Sequence, residues 1–385
     1  MKSLLFVISS CVAFIIVTSC FSKAEKKPDG KHLPSLASDF TFRQLSPEEI
    51  SRYGNEAKFY YETKLKNTGF NGEIVVAKNG QIVFEDYTGV ANFKTRDSIT
   101  MNTPLHVAST SKTFTGMEIM RLRDQGRLSL SDSIQQYFPD LPYHGITIRM
   151  MLSHRSGLPN YLNFMDKDWN KRKMATNQDV LNYMIANKPP VEAMPDKSFH
   201  YSNTNFMLLA LVVEHITHQP FPQFMKDSLF TPLGMNNTYI FSSTDSMNYV
   251  PTMVGNRPYE ITYLDGTYGD KNVYTTARDL LQWDRALYQH TFVNKAALDT
   301  AFTPQSHEKE SKHNYGLAWR IYTNGAEHFV YHNGRWHGSN SSFTRLLGDT
   351  ATIIVIGNKY NSNIYDAKDM SVIFTGIKDT TNLKE

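Results

Sequence analysis

The chain has 385 residues, 41% of them hydrophobic and 20% charged, which is the balance of an ordinary globular protein and excludes a disordered or fibrous one. Its formal charge of +3 is too small to imply a nucleic-acid partner. Both cysteines, Cys11 and Cys20, fall in the first twenty residues, so the rest of the chain has no disulfide and no cysteine-based metal site.

Residues 1–20, MKSLLFVISSCVAFIIVTSC, hold one lysine and an apolar run closing on Val17-Thr18-Ser19-Cys20. This resembles a bacterial lipoprotein signal peptide, with cleavage after residue 19 and Cys20 as the lipidated first residue. The competing reading is a transmembrane helix, but the serine-interrupted run falls short of the roughly 20 residues a span needs. Residues 20–44 are expected to be a polar tether, and residues 45–378 the folded domain.

Ser46-Pro47-Glu48-Glu49 carries a capping serine, a proline at the first helical position and a glutamate three residues on, which predicts a helix to about Leu65. GEIVVAK and QIVFEDYTG read as two strands joined at Asn79-Gly80, a strong hairpin signal.

Ser109-Thr110-Ser111-Lys112 follows the apolar Leu105, Val107 and Ala108 and leads into KTFTGMEIMRLRDQGRL, whose apolar residues recur with roughly helical spacing. Gly126 suits the helix C-terminus. Residues i and i+3 of a helix share a face, so the Lys112 amine can reach the Ser109 hydroxyl. An amine buried among donors favours its uncharged form and can take the hydroxyl proton, while the helix start offers N–H groups to an oxyanion. The bland alternative is an N-capping serine with a surface lysine. A second S-x-x-K, Ser306 to Lys309, lies in the polar run TPQSHEKESKHN and is expected to be a solvated loop.

Helical patches are predicted at 147–153, 178–186, 204–217, 221–230 and 277–289. Y-x-N occurs at Tyr53, Tyr161, Tyr201, Tyr322 and Tyr331. Context favours Tyr201, at a loop-to-helix junction before TNFMLLALVVEHI, with Tyr161 its rival. A phenol beside an ammonium can act as general base and then acid, and the alternative is a buried tyrosine with a satisfied hydroxyl.

YGLAWRIYT, HFVYHN, SSFTRLLG and ATIIVIGN read as strands, with a last helix near Tyr365 to Phe374. His332-Asn333-Gly334 is the one H-x-G and closes a strand, where glycine permits close approach of substrate. The amides of Ser109 and Arg335 are candidates for an oxyanion hole. Thirteen histidines bring no H-E-x-x-H, and no G-x-S-x-G occurs. Strands at both ends around a helical middle predict an α+β fold, the terminal segments sharing one antiparallel sheet and a helical lobe inserted at about 125–300.

With VASTSKTFTG, MLSHRSGLPNY, FHYSNTNFMLLALVVEHIT, FTPLGMNNTYI, VYTTARDLLQW and YHNGRWHGSNSSF in order, the chain resembles the serine β-lactamase and penicillin-binding protein superfamily, in its class C-like branch, over about residues 55 to 360. The resemblance implies the β-lactamase/transpeptidase-like fold, Ser109 as nucleophile, Lys112 as its activating partner and Tyr201 as general base. It further implies that Asn203 orients Lys112 and the substrate amide, and that His332, Gly334 and Arg335 serve the substrate-binding strand. Ser156-Gly157 would shape the loop beside the cleft, and no metal or cofactor is implied. Two departures stand out: His332 where class C β-lactamases have lysine, and Pro195-Asp196-Lys197 where relatives have Pro-Gly.

These readings lead to a lipid-anchored serine hydrolase of the cell envelope, cleaving an amide or ester through an acyl-enzyme, with D-Ala-containing peptides the foremost substrate class. A β-lactamase-like esterase or weak β-lactamase is the alternative. From another class comes a non-catalytic protein that binds cell-wall fragments.

Overall fold

The computed structural model describes residues 37–92, 94–242 and 249–376. The expected leader, Cys20 and the tether up to residue 36 lie outside the described residues. A seven-stranded antiparallel sheet organises the domain. Its strands are β1 (Gly72–Lys78), β2 (Gln81–Thr88), β3 (His313–Tyr315), β4 (Arg320–Asn324), β5 (Glu327–Trp336), β6 (Ser339–Leu346) and β7 (Ala351–Gly357), in the order β3-β4-β5-β6-β7-β1-β2. The pairing of β1 with β7, Gly72 opposite Gly357 through Lys78 opposite Ala351, joins the two ends of the domain in one sheet, as expected for an α+β chain of this pattern.

Both faces of this sheet are covered, which is why β7 is a continuous apolar run rather than an alternating one. Ile353 and Val355 face a cluster with Ala57, Tyr61, Leu65, Ile364 and Met370. Ile354 and Ile356 face the larger core, with Phe114, Met117, Phe206 and Trp283. The first cover is helix α1 (Pro47–Tyr60), continued by a π-helical turn Tyr61–Leu65 and started by the Ser46/Glu49 capping box, worth about 1 kcal/mol.

The second cover carries the functional segments. Helix α2 (Ser111–Asp124) follows a 3-10 turn Ala108–Thr110 and ends before Gly126, at φ 68. Helix α3 (Asn203–Thr217) is buried nearly all round, as its sequence demands. Helix α4 (Ala277–Tyr288) packs an apolar stripe on the sheet. Shorter helices occur at Ile148–Leu152, Asn177–Asn187 and Phe221–Met225, near the predicted patches.

Two expectations need correction. YGLAWRIYT is not one strand: between β3 and β4 the chain turns inward at Ala318, φ 70, whose amide donates to the Leu152 carbonyl. There the methyl of Ala318 occupies the space a side chain at Gly116 of α2 would need, 2.1 Å from the ideal Cβ position. The polar tether is also shorter than 20–44. Phe40 and Phe42 pack on Tyr288 at centroid distances of 6.0 and 5.9 Å, and Arg43 pairs with Glu49 at 2.6 Å, so this stretch is docked on the domain.

Candidate active site

Two side chains, one a helical turn on and one 92 residues away, meet at the Ser109 hydroxyl. Lys112 Nζ donates to Ser109 Oγ at 3.0 Å, and the Tyr201 phenol donates to the same oxygen at 2.9 Å. Ser109 stands in the 3-10 turn before α2, preceded by Ala108 at φ 49. A left-handed alanine costs about 1–3 kcal/mol and is held here by complete burial. Lys112, one turn on, is wholly buried, and its other donors reach Asn203 Oδ1 and the Asp270 carbonyl, both at 2.8 Å. The Lys112 nitrogen therefore has three acceptors around it, one of them the Ser109 hydroxyl.

Tyr201 and Asn203 flank the N-terminus of α3, so one helix start delivers both. His154 braces this start. Its Nδ1 accepts from the Ser202 amide at 3.2 Å and from Asn205 Nδ2 at 3.1 Å, and its ring lies on Tyr201 with centroids 4.2 Å apart. Complete burial, reinforced by Lys112, pushes the His154 pKa well below the ordinary histidine value, so the imidazole is neutral.

The hydroxyl opens on a cleft of about 300 Å³, lined among others by Ser109, Tyr201, Asn203, Gly334, Arg335 and Trp336. Gly334 is required there: a Cβ would sit 2.2 Å from the Val107 carbonyl and 2.5 Å from Ser341 Oγ. β5 thereby lies directly against the turn that holds Ser109, with Thr110 Oγ1 donating to the His332 carbonyl at 3.3 Å.

His332 departs from the expectation of a direct substrate contact. Strand alternation puts it on the Gly334 face, under the serine turn, and it is fully buried. Its Nε2 is 3.1 Å from the Tyr315 hydroxyl and its Nδ1 2.8 Å from the Asn333 carbonyl. Burial, then the charges of Arg320 and Lys112, hold its pKa well below the usual value, so it is a neutral part of the cleft's foundation. Tyr161, the rival tyrosine, is also buried: it donates to Asp270 Oδ2 at 2.9 Å and accepts from Lys271 Nζ at 2.6 Å. The Ser306 to Lys309 copy lies in a loop without regular structure, as expected, its Ser306 hydroxyl accepting from Arg155 at 3.3 Å.

Sequence reasoning missed Lys271 and Arg320, which both line the cleft. Neither belongs to a motif of its own. Lys271 is 3% exposed, and its Nζ lies 4.9 Å from the Trp336 ring centre. The Pro195-Asp196-Lys197 departure is accommodated locally. Asp196 takes the left-handed φ of 60 that glycine would favour and is held by Arg155 Nε at 2.6 Å. Among the described residues no group of three or more His, Cys, Asp or Glu side chains could hold a metal ion.

The beta-lactamase family model matches residues 66–370. A penicillin-binding protein of Bacillus subtilis is 30% identical over 325 residues, covering 80% of this chain and 72% of its own length. Protein flp of Staphylococcus aureus is 26% identical over 306 residues, covering 74% of this chain and 59% of its own. Among solved structures, a penicillin-binding protein from Bacillus halodurans superposes with a TM-score of 0.72 at 23% identity, covering 82% of this chain and 98% of that one. D-amino acid amidase from Ochrobactrum anthropi superposes with a TM-score of 0.67 at 20% identity, covering 85% and 98%, and supports the shared fold. The family match across most of the domain, joined to this fold, makes the chain a member of the serine β-lactamase and penicillin-binding protein superfamily, a family of serine hydrolases.

Proposed function

We propose that Ser109 is the nucleophile of an acyl-enzyme reaction. Its Oγ attacks a substrate carbonyl carbon while its proton passes to the Tyr201 oxygen, which has given up its own proton beside the charge of Lys112 and so acts as the base. The tetrahedral oxyanion is received by the amides of Ser109 and Arg335, where charge stabilisation is worth most. On collapse the carbon–nitrogen or carbon–oxygen bond to the leaving group breaks, and that group takes the proton back through Tyr201. Water then repeats the sequence against the ester and frees the acid. Asn203 holds Lys112 and meets the substrate amide. The observation carrying this reading is the convergence of Lys112 and Tyr201 on one serine oxygen, at 3.0 and 2.9 Å.

The foremost substrate class is a peptide ending in D-Ala; the 30% identical relative is named for binding penicillin, which supports an acyl-transfer site of this kind. With His332 buried beneath the serine turn, this position presents no ammonium to the cleft, a departure that favours slow turnover of β-lactams relative to peptides or esters. The leader pattern supports attachment to a membrane through a lipid on Cys20, facing the periplasm or cell surface. Among the described residues no helix is long and apolar enough to cross a membrane.

Fluorophosphonate or fluorescent penicillin is expected to add one covalent label, absent in Ser109→Ala. Folded wild-type protein that takes no label from either probe contradicts the proposal. Cys20→Ala is expected to move the protein from the membrane to the soluble fraction, and unchanged partitioning argues against the anchor.

A further inference from the structure

Behind the serine turn stands a buried histidine with no part in the chemistry proposed above. His106 closes a two-residue strand, Leu105–His106, is 2% exposed, and is not among the side chains that line the cleft. Its Nδ1 accepts from the amide of Ala108, two residues on, at 3.2 Å. Its Nε2 lies 3.2 Å from Asn272 Oδ1, its carbonyl accepts from Ser339 Oγ, and its ring packs edge-on against Tyr274 with centroids 5.0 Å apart.

The far end of this chain of bonds fixes which ring nitrogen holds the proton. Asn272 Nδ2 donates to the Asp265 carbonyl at 2.6 Å, which turns Asn272 Oδ1, an acceptor, toward the histidine. Nε2 must then carry the ring proton, and Nδ1 is left bare to accept. Burial, partly offset by the Asn272 bond, lowers the His106 pKa to about 4, so the ring is neutral. Asp265 also accepts from the Trp336 indole at 2.6 Å, and the bonds therefore run without a break from the cleft wall to the serine turn.

What the bare Nδ1 holds is the orientation of one peptide unit. The Val107 carbonyl and the Ala108 N–H lie in one plane and turn together. The carbonyl end accepts from Ser341 Oγ at 2.8 Å and from the Thr110 amide at 3.2 Å, while the N–H end is held by His106. Pinned at both ends, this plane keeps Ala108 at its left-handed φ of 49. The next amide along the chain is that of Ser109, whose direction follows from the Ala108 dihedrals.

We infer that His106 is a positioning residue for acyl transfer, its Nδ1 locking the 107–108 peptide and so aiming the Ser109 amide at the oxyanion. The inference rests on the reading of that amide as one half of the oxyanion hole. Without an acceptor at this point the buried Ala108 N–H is stranded. Rotation of the peptide then relieves both the stranded donor and the left-handed strain, and it turns the Ser109 amide away from the reacting carbonyl.

The test compares the full chain with His106→Asn and His106→Gln. An asparagine side chain accepts from the amide two residues on, so it takes the place of Nδ1, whereas the longer glutamine amide reaches toward Asn272 in the place of Nε2. Both lose the same ring, and the lost packing on Tyr274 is common to them. Fluorophosphonate labelling is expected to stay within about threefold of wild type in His106→Asn and to fall about 10²-fold in His106→Gln, the loss that attends one oxyanion donor. With p-nitrophenyl acetate the fall is expected in kcat, while KM moves by less than about twofold. Equal losses in the two variants, no loss in either, or the reverse order overturns the inference. Asn272→Gly removes the partner that fixes the ring proton, at a φ of 75 that suits glycine, and is expected to slow labelling by more than about threefold. Should neither His106 variant fold, a wild-type rate in Asn272→Gly overturns the inference. Wild-type protein that takes no label removes the acyl-enzyme reading and the inference with it, whereas labelled wild type with His106 variants that behave alike removes the inference alone.

Discussion

Lys112 and Asp270 are joined by a 2.8 Å hydrogen bond from the buried lysine nitrogen to a main-chain carbonyl 158 residues away. The carboxylate of the same Asp270 accepts from Tyr161, which accepts in turn from Lys271. The carbonyl that fixes the lysine is thus itself fixed by a buried polar network. Burial holds the Tyr161 pKa well above its ordinary value, with Asp270 adding to the shift, so the phenol keeps its proton and can donate.

Tyr161→Phe removes one oxygen and leaves both Lys271 and Asp270 short of a partner. A buried group without its partner costs about 1–3 kcal/mol. Denaturant unfolding is expected to show a loss of that order, and the rate of fluorophosphonate labelling is expected to fall with it, since the Asp270 carbonyl loses its brace. A variant that labels at the wild-type rate would separate the network from Lys112.

Gly334→Ala tests the contact between β5 and the serine turn. The new methyl would meet the Val107 carbonyl at 2.2 Å and Ala108 Cβ at 3.1 Å, and neither lies on a flexible side chain. Overpacking of this kind costs about 1–3 kcal/mol. Relief requires the strand or the turn to move, so labelling is expected to drop more than about tenfold even where circular dichroism shows a folded protein. Gly348→Ala, with nothing within 4 Å of the added Cβ, is the control expected to leave labelling unchanged.

Much of this architecture was legible from local pattern. The hairpin at Asn79-Gly80, the Ser46 cap and the apolar run of β7 each follow from short-range physics, and each occurs where expected. Ser109 and Lys112 are marked by their motif, Tyr201 by its loop-to-helix context and Asn203 by the family resemblance, and the four are brought together. The depth of His332 was not legible, because its strand does not close there but runs on to Trp336, and the 108–110 turn crosses above it. Arg320 and Lys271 escaped for a related reason: their place in the cleft comes from long-range packing, and the residues around them form no pattern. The inward turn at Ala318 was hidden by the apolar Leu317 and Trp319, which read as strand and are buried loop.

The serine, lysine and tyrosine are expected to behave as a unit. Lys112→Ala and Tyr201→Phe should each lower the labelling rate by about 10²–10⁴-fold, the range of a general acid–base group. Both groups bond the same oxygen, so the double variant should be little slower than the worse single one. Rates falling by the product of the two effects would show that Lys112 and Tyr201 act independently, contrary to their shared contact with Ser109 Oγ.

Glu118, in the middle of α2, offers a prediction about pH. It is fully buried, its nearest cation is Arg121 at 3.5 Å, and neither of its oxygens has a hydrogen-bond partner. Burial outweighs the ion pair and raises its pKa from 4.5 to about 7. Below 4.5 both the folded and unfolded chains hold this proton. Between 4.5 and about 7 the folded chain holds it and the unfolded chain has released it, so this group's contribution to stability declines as pH rises through that window, by about 3 kcal/mol in total. Buried His154 and His332 act in the opposite sense below pH 6.5, because the unfolded chain takes up protons that they refuse. Comparing variant with wild type cancels their effect. Glu118→Gln, which cannot ionise, is expected to lose the declining component. The difference in unfolding free energy between variant and wild type should therefore shift toward the variant by about 3 kcal/mol from pH 4.5 to pH 8, whatever the cost of the substitution itself. A difference that stays constant across this range would mean that Glu118 is ionised in the folded protein at the acid end, with Arg121 outweighing its burial.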